Sequence, residues 1–382
     1  GPVPARVLVE VSGLRPDVAV VGAGIVGAAC AEALTAAGLS VEVVESRFEG
    51  SGATGSAMGH LVVLDDTEAQ FALTAYSLRL WEELSAELPP EAEETREGTL
   101  WVAADGEEMA RVGSRAAFYG AHGVRAEVLD DRALAEAEPK LRPGLPGGLR
   151  VPGDRVLYPP VAAAWLLRRA VDRGGRLRRG EEVLEVGDGF VRTSSGRGDA
   201  GQIIVAAGIE TPRLLPGAPV SPKKGHLVIT DRCPGFCRHQ LVELGYLRSA
   251  HGAARESVAF NLQPRATGQL LVGSSREIVG LDPTVNRRLL ARMVGRALEY
   301  VPALARLSAI RIWTGFRPAT PDNLPLIGRW PGRKGVWVAA GHEGLGITTS
   351  LGTARLLTDL FVGRAPAIDP SPFDPARGAA HA

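Results

Sequence analysis

The period of the hydrophobic pattern changes repeatedly along the chain, and each change marks an element. Residues 18–21 (VAVV) are a short apolar run, too short for a helix and closed by Gly22. Residues 25–37 follow with alanine-rich helical spacing and stop at Gly38, where a left-handed cap is expected. From Leu39, LSVEVVE alternates as a second strand that ends on Glu45. Between first strand and helix stand Gly22, Gly24 and Gly27, in the order G-x-G-x-x-G. Strand, glycine turn, helix, strand and acid together are the parts of a dinucleotide-binding unit. Gly22 permits the tight turn, Gly24 lets backbone approach a pyrophosphate, and Gly27 lets helix and strand pack closely. The helix start at Ile25 and Val26 offers free N–H groups and a positive dipole end to phosphates. Glu45, 18 residues beyond Gly27, and the adjacent Ser46 are placed for ribose hydroxyls; an acid there disfavours a 2′-phosphate.

Other segments alternate without fingerprints: GTLWVAA, HLVIT, ESVAFNLQP and GQLLVGSS. Strands grouped together, instead of alternating with helices, predict a mixed or antiparallel sheet. AQFALTAYSLRLWEELSAEL has helical spacing, with Tyr76 and Trp81 expected in the core. The fold class expected is α/β with α+β character: a Rossmann-like domain carrying an inserted mixed or antiparallel-sheet substrate domain. Its pieces are 17–75, 155–215 and 316–370 for the dinucleotide domain and 76–154 and 216–315 for the substrate domain. Residues 1–16 form an N-terminal extension and 371–382 a C-terminal tail.

Composition narrows the function classes. The 382 residues hold 43 basic and 43 acidic side chains, interleaved, so no bulk field recruits nucleic acid or an anionic membrane. No apolar run approaches the ~18–20 residues of a membrane helix, and no secretory leader is expected from the residues before the first strand. Cys30 falls in the first helix as a small core hydrophobe. Cys233 and Cys237 lack a second ligand pair, so no metal site is expected. These features point to a reduced, cytoplasmic protein.

The stretch after Glu45, SRFEGSGATGSAMGHL, is dense in Gly, Ser, Thr and Ala and has no period. Such a loop can wrap amides and hydroxyls around a phosphate or an isoalloxazine ring. With the opening motif it resembles the start of the D-amino-acid oxidase and glycine oxidase superfamily of FAD-dependent amine oxidoreductases. The resemblance places Ser51 and Thr54 near phosphate and Met58, Gly59 and His60 near the flavin. RRGEEVLEV resembles the adenine-gripping segment and points to Val183; IIVAAGIET resembles the strand ending beside the cofactor, at Ala207 and Gly208. IWTGFRPATPDNLPLIG and GVWVAAGHEGLGITTS resemble the C-terminal flavin motif, with Gly341, Gly344, Leu345, Gly346, Ile347 and Thr348 in its glycine loop. No cysteine stands where sarcosine-oxidase relatives bond the flavin covalently, so FAD is expected to be non-covalent.

The resemblance implies hydride transfer from an amine-bearing carbon to flavin N5, where orientation supplies most of the catalysis. Arg317 is then the expected fork for the substrate carboxylate, a task suited to a planar guanidinium, beside the cofactor. Tyr246 is a second carboxylate ligand or pocket wall. His60 is either a proton acceptor over the flavin or a histidine held in a tight loop. His342 and Glu343 stand at the mouth of the glycine loop, Glu343 as a contact for a secondary amine or hydroxyl or as an exposed acid. Alignment of GQLLVGSS puts Leu271 where related oxidases carry an oxygen-activating lysine, which favours a dehydrogenase. SAMGHLVVLDD and GHEGLGITTSLGTARLL most resemble the flavoprotein subunits of bacterial D-hydroxyproline dehydrogenases. The implied partners are a small amino-acid substrate, an electron acceptor (O2, quinone or a partner subunit) and further copies or subunits. A carbinol oxidation with His60 or His342 as base, a glycine or sarcosine oxidase, and a silent FAD electron-transfer subunit are the alternatives.

Overall fold

A computed structural model describes residues 15–246 and 255–377. Most of the expected N-terminal extension, residues 1–14, lies outside the described residues, as do residues 378–382 of the tail.

The valine-rich strand Val18–Val21 is buried along its whole length and pairs in parallel with both Val41–Glu45 and Gln202–Val205. Burial on both faces is what turns a parallel strand into a continuous apolar run. The six-stranded sheet runs Leu326–Arg329, Val336–Ala340, Gln202–Val205, Val18–Val21, Val41–Glu45, Arg176–Arg179. Only Leu326–Arg329 is antiparallel to its neighbour. The helix Ile25–Ala36 lies on one face between Pro159–Asp172 and Gly346–Val362. Its fully buried Ala28, Ala29 and Ala31 let these helices approach closely. On the other face Val183, Val186 and Val191, from a three-stranded antiparallel sheet, pack against Ala19, Val21 and Ile203.

The second layer is an eight-stranded sheet ordered Ala309–Ala319, Ser221–Thr230, Leu270–Glu277, Glu256–Pro264, Gln240–Glu243, Thr99–Val102, Gly147–Val151, Glu127–Asp130. All neighbours are antiparallel except Gln240–Glu243 beside Thr99–Val102. The helix Arg287–Tyr300 covers it with Leu289, Met293, Ala297 and Tyr300, and Asn286 caps its N-terminus by accepting from the Leu289 N–H at 3.1 Å.

The expected α/β architecture with a mixed-sheet partner is therefore present, but three expected borders cut through elements or packing. The break at 75/76 falls inside the helix Glu68–Leu84, which packs on Gly346–Val362 and sends Trp81 Nε1–H to the Thr348 carbonyl at 3.2 Å. The break at 315/316 falls inside the strand Ala309–Ala319. The tail is anchored, because Phe373 is 1 % exposed within the main core. Composition does not change at these points, so no sequence signal marks them. Cys30 is wholly buried and its thiol is pushed up to about 12 by burial.

Candidate flavin and substrate site

Two helices begin at the same cavity without a capping side chain: Ile25–Ala36 after Gly24 and Gly346–Val362 after Leu345. Uncapped first-turn N–H groups with a converging positive dipole suit an anionic ligand. One is already spoken for, since Ile25 N–H donates to Thr54 Oγ1 at 3.0 Å. Gly24 faces that same hydroxyl, and a Cβ there would crowd it at 3.3 Å. Gly22 holds φ at 103° against the Ala206 carbonyl, a conformation and closeness that a side chain would forbid.

The cavity has a volume of about 1290 Å³, above the ~300–1,000 Å³ typical of small-ligand sites. It is large enough for a dinucleotide and a second, smaller molecule. Its wall includes Gly22, Gly24, Ile25, Val26, Glu45, Ser46, Ser51, Thr54, Met58, Val183, Ala207, Gly208, Gly346 and Ile347, so the separate motifs converge. Glu45 is buried and accepts the Ala23 and Arg47 N–H groups, each at 2.8 Å. The Ser46 and Ser51 hydroxyls also donate to Glu45 Oε1, at 3.3 and 3.5 Å, two long bonds that ribose hydroxyls would have to replace. The Val183 carbonyl is taken by Arg213 at 3.0 Å. A flavin dinucleotide therefore fits the residues present.

Five expected cofactor contacts lie off this wall, each for a packing reason. Gly27 lacks a side chain so that its helix can touch the Gly22 carbonyl. Gly59, with φ 98°, packs on the Leu157 backbone, and Gly341, with φ 84°, on Thr320. Leu345 lines a smaller side chamber instead. Thr348 is fully buried: its hydroxyl donates to the His60 carbonyl at 2.9 Å and accepts from Val62 N–H at 3.2 Å. It fastens the His60–Val62 segment to the second helix.

Around Arg317 and Glu343, in the cavity wall, the fold brings charges together from four segments. Arg317, on the strand Ala309–Ala319, donates to the Ser275 carbonyl at 3.1 Å. Its guanidinium lies over Gly225 of the neighbouring strand, where a Cβ would collide with it. Arg276, buried at the end of Leu270–Glu277, donates to Glu343 Oε1 at 3.2 Å and to the Tyr246 hydroxyl at 2.9 Å. Glu343 is thus a buried ion-pair partner rather than an exposed loop acid. Arg276 and Arg317 hold its carboxyl at about 2 despite burial. Arg317 itself is driven down by burial and by the Arg276 charge. Among the described residues Arg317 has no carboxylate within ion-pair distance. Lys223 adds a third cation to the neighbourhood and pairs with Asn323 Oδ1 at 3.0 Å.

The histidines are fixed in place. His60 Nδ1 meets Gln240 Oε1, and its Nε2 lies 3.1 Å from Asn261 Nδ2, so both ring nitrogens are occupied. Burial depresses it to about 4. His342 sits 3.0 Å from Thr353 Oγ1 and burial depresses it to about 3. Held at both ring nitrogens, His60 presents no free lone pair to the cavity. Leu271 is buried in a small apolar cluster with Met58 and Leu227.

Arg276, Asn261 and Gln240 escaped the sequence reading. The available signal was SSRE, two charges ending a strand whose every residue is buried. Among the described residues no group of His, Cys, Asp or Glu forms a metal site, and no helix is long and apolar enough to cross a membrane.

Two helix starts over a dinucleotide-sized cavity, with a half-buried arginine free of carboxylate partners in its wall, suit a flavin-type oxidoreductase. The chain belongs to the FAD dependent oxidoreductase (DAO) family, which matches residues 17–360. It is 30% identical over 378 residues to the glycine oxidase of Pseudomonas aeruginosa, covering 94% of this chain and 98% of that one. It is 31% identical over 288 residues to the D-amino acid dehydrogenase of Granulibacter bethesdensis, covering 71% and 65%. The crystal structure of glycine oxidase from Geobacillus kaustophilus superposes with a TM-score of 0.85 at 27% identity, over 96% of this chain and 99% of that one. The protein is an FAD-dependent oxidoreductase acting on amino acids or amines.

Proposed function

We propose that the chain oxidises a small α-amino acid, D-configured or a cyclic secondary amine of the proline and hydroxyproline type, to the imine. The observation that carries this reading is Arg317, a half-buried guanidinium on the cavity wall that makes no ion pair among the described residues. An ionised carboxylate is the ligand that restores charge balance there, by a two-pronged hydrogen bond. Glu343, ionised and pinned by Arg276, faces the same cavity and accepts an N–H from the substrate nitrogen. FAD, when bound, supplies the acceptor for the hydride that leaves the amine-bearing carbon.

With both His60 ring nitrogens bonded and His342 held through Nε2 and depressed by burial to about 3, neither imidazole is a strong proton acceptor, and the substrate enters as the neutral amine. That weighs against the carbinol reading, which needs a base for a hydroxyl proton. Leu271 in place of a cation over the ring supports an acceptor other than O2, a quinone or a partner subunit. Cys30, Cys233 and Cys237 are unpaired thiols, which suits a reducing compartment such as the cytoplasm.

The test is anaerobic addition of D-proline, cis-4-hydroxy-D-proline, glycine and sarcosine to the holoenzyme while the visible flavin band is followed. Rapid bleaching by one of them with slow return in air supports the reading. Fast return in air makes the protein an oxidase. No bleaching by a broad panel of amines and hydroxyacids overturns it.

A further inference from the structure

Beside the main cavity lies a side chamber of about 40 Å³. The two share His60, Tyr246, Asn261, Glu343 and Gly344 in their walls, so the chamber adjoins the place where Arg317 and Glu343 hold a substrate. Val62, Leu64, Val242 and Leu345 line the chamber alone. The polar side chains around it spend their hydrogen bonds on one another. Arg276 is held by Glu343 and by the Tyr246 hydroxyl, and His60 by Gln240 and Asn261. The polar atoms of Gln70, Trp101 and Asn261 that lack partners among the described residues are themselves inaccessible, so they offer the chamber nothing. The surface that faces the chamber is therefore mostly carbon.

A small chamber walled by carbon holds water poorly and gains from being filled by carbon. At ~10–15 Å³ for a water-sized group, its volume admits about three heavy atoms. Part of the wall is stiff. Trp101 is 2 % exposed, Arg115 stacks on its ring at 4.8 Å, and Arg115 is fastened in turn to Asp65 at 3.0 Å. We propose that Val62, Leu64, Val242 and Leu345, with Trp101 as a fixed wall, receive the side chain of the substrate and select a short aliphatic one. An alkyl chain or the methylenes of an unsubstituted ring fit; a hydroxyl, a charge or an aromatic ring does not. This rests on the amino-acid reading above and narrows the substrate class within it.

The test uses the holoenzyme and two series of compounds. In the first, the second-order rate constant for anaerobic flavin reduction is measured with glycine, D-alanine, D-2-aminobutyrate, D-serine and D-phenylalanine. In the second, spectral titration of the flavin gives Kd for acetate, propionate, butyrate and 3-hydroxypropionate, which have no amine to oxidise. The expected result is a gain of about fourfold per added carbon, as far as D-2-aminobutyrate and butyrate. The hydroxyl isosteres D-serine and 3-hydroxypropionate should fall about tenfold below them, and D-phenylalanine should not reduce the flavin. Val242→Phe, which fills the chamber, should flatten both series while leaving glycine and acetate within about threefold of wild type. Leu64→Ala, which enlarges it, should move the optimum to D-norvaline and valerate. No dependence on chain length in wild type, or a dependence that both substitutions leave unchanged, overturns the pocket. So does a preference for the hydroxyl isosteres. If no amine reduces the flavin but the carboxylates keep the expected order, the pocket stands and the amine reading falls.

Discussion

Arg276 Nε lies 3.2 Å from Glu343 Oε1, and both side chains are nearly inaccessible, at 7% and 5% exposure. This pair decides what its neighbour can do. Because Glu343 is bound to Arg276, it reaches Arg317 only through its charge and not by an ion pair, and the hydrogen-bonding edge of the second guanidinium is left for a ligand. Tyr246 completes the arrangement by accepting from Arg276 at 2.9 Å.

Removing one half of a buried pair exposes the other half to an apolar interior. Arg276→Met should destabilise the fold by about 3–5 kcal/mol. Chemical denaturation of the holoenzyme measures it. The double variant Arg276→Met with Glu343→Leu should recover much of that loss, since no charge is then stranded.

Gly225 tests the position of Arg317 without touching its charge. A methyl group at Gly225 would occupy the space of the guanidinium, so Gly225→Ala must push it aside. The expected outcome is a fall in kcat/KM of roughly 10–100-fold, carried mostly by KM. The far-ultraviolet circular dichroism and flavin content should be unchanged.

The two buried histidines make a pH prediction with a definite sign. Burial lowers His60 to about 4 and His342 to about 3, against 6.5 for an exposed imidazole. Unfolded chains therefore take up protons between about 6.5 and 4 that the folded protein does not, and stability should fall as pH drops through that window. In catalysis neither residue changes charge above pH 6. The profile of kcat/KM should rise with pH as the neutral amine becomes more abundant, with no step near 6.5. A step there that vanishes in His60→Asn would assign the proton transfer to His60 after all.

How far the sequence revealed this site depends on how local each signal is. The opening βαβ unit was legible because strand, glycines, helix and Glu45 are contiguous, and each glycine answers a backbone demand. The helix Gly346–Val362 was legible for the same reason. Arg317 stands in a contiguous motif, so its place at the cavity wall was legible too. Arg276 was not, because its role arises only when the strands Leu270–Glu277 and Ala309–Ala319 flank Ser221–Thr230. Thr348 was placed on the cofactor by its position in a glycine loop, whereas one helical turn suffices to direct its hydroxyl into the His60 loop.

The central claim is that Arg317 is the unpaired cation that takes the substrate carboxylate, and one kinetic comparison tests it. Anaerobic stopped-flow reduction of the flavin would be followed in wild type and Arg317→Met, with the best amino acid of the panel and with the same amine lacking its carboxylate. The account predicts that the substitution costs the amino acid about 2–5 kcal/mol of binding and leaves the decarboxylated amine unaffected. Equal half-saturation by the amino acid in both proteins would contradict it.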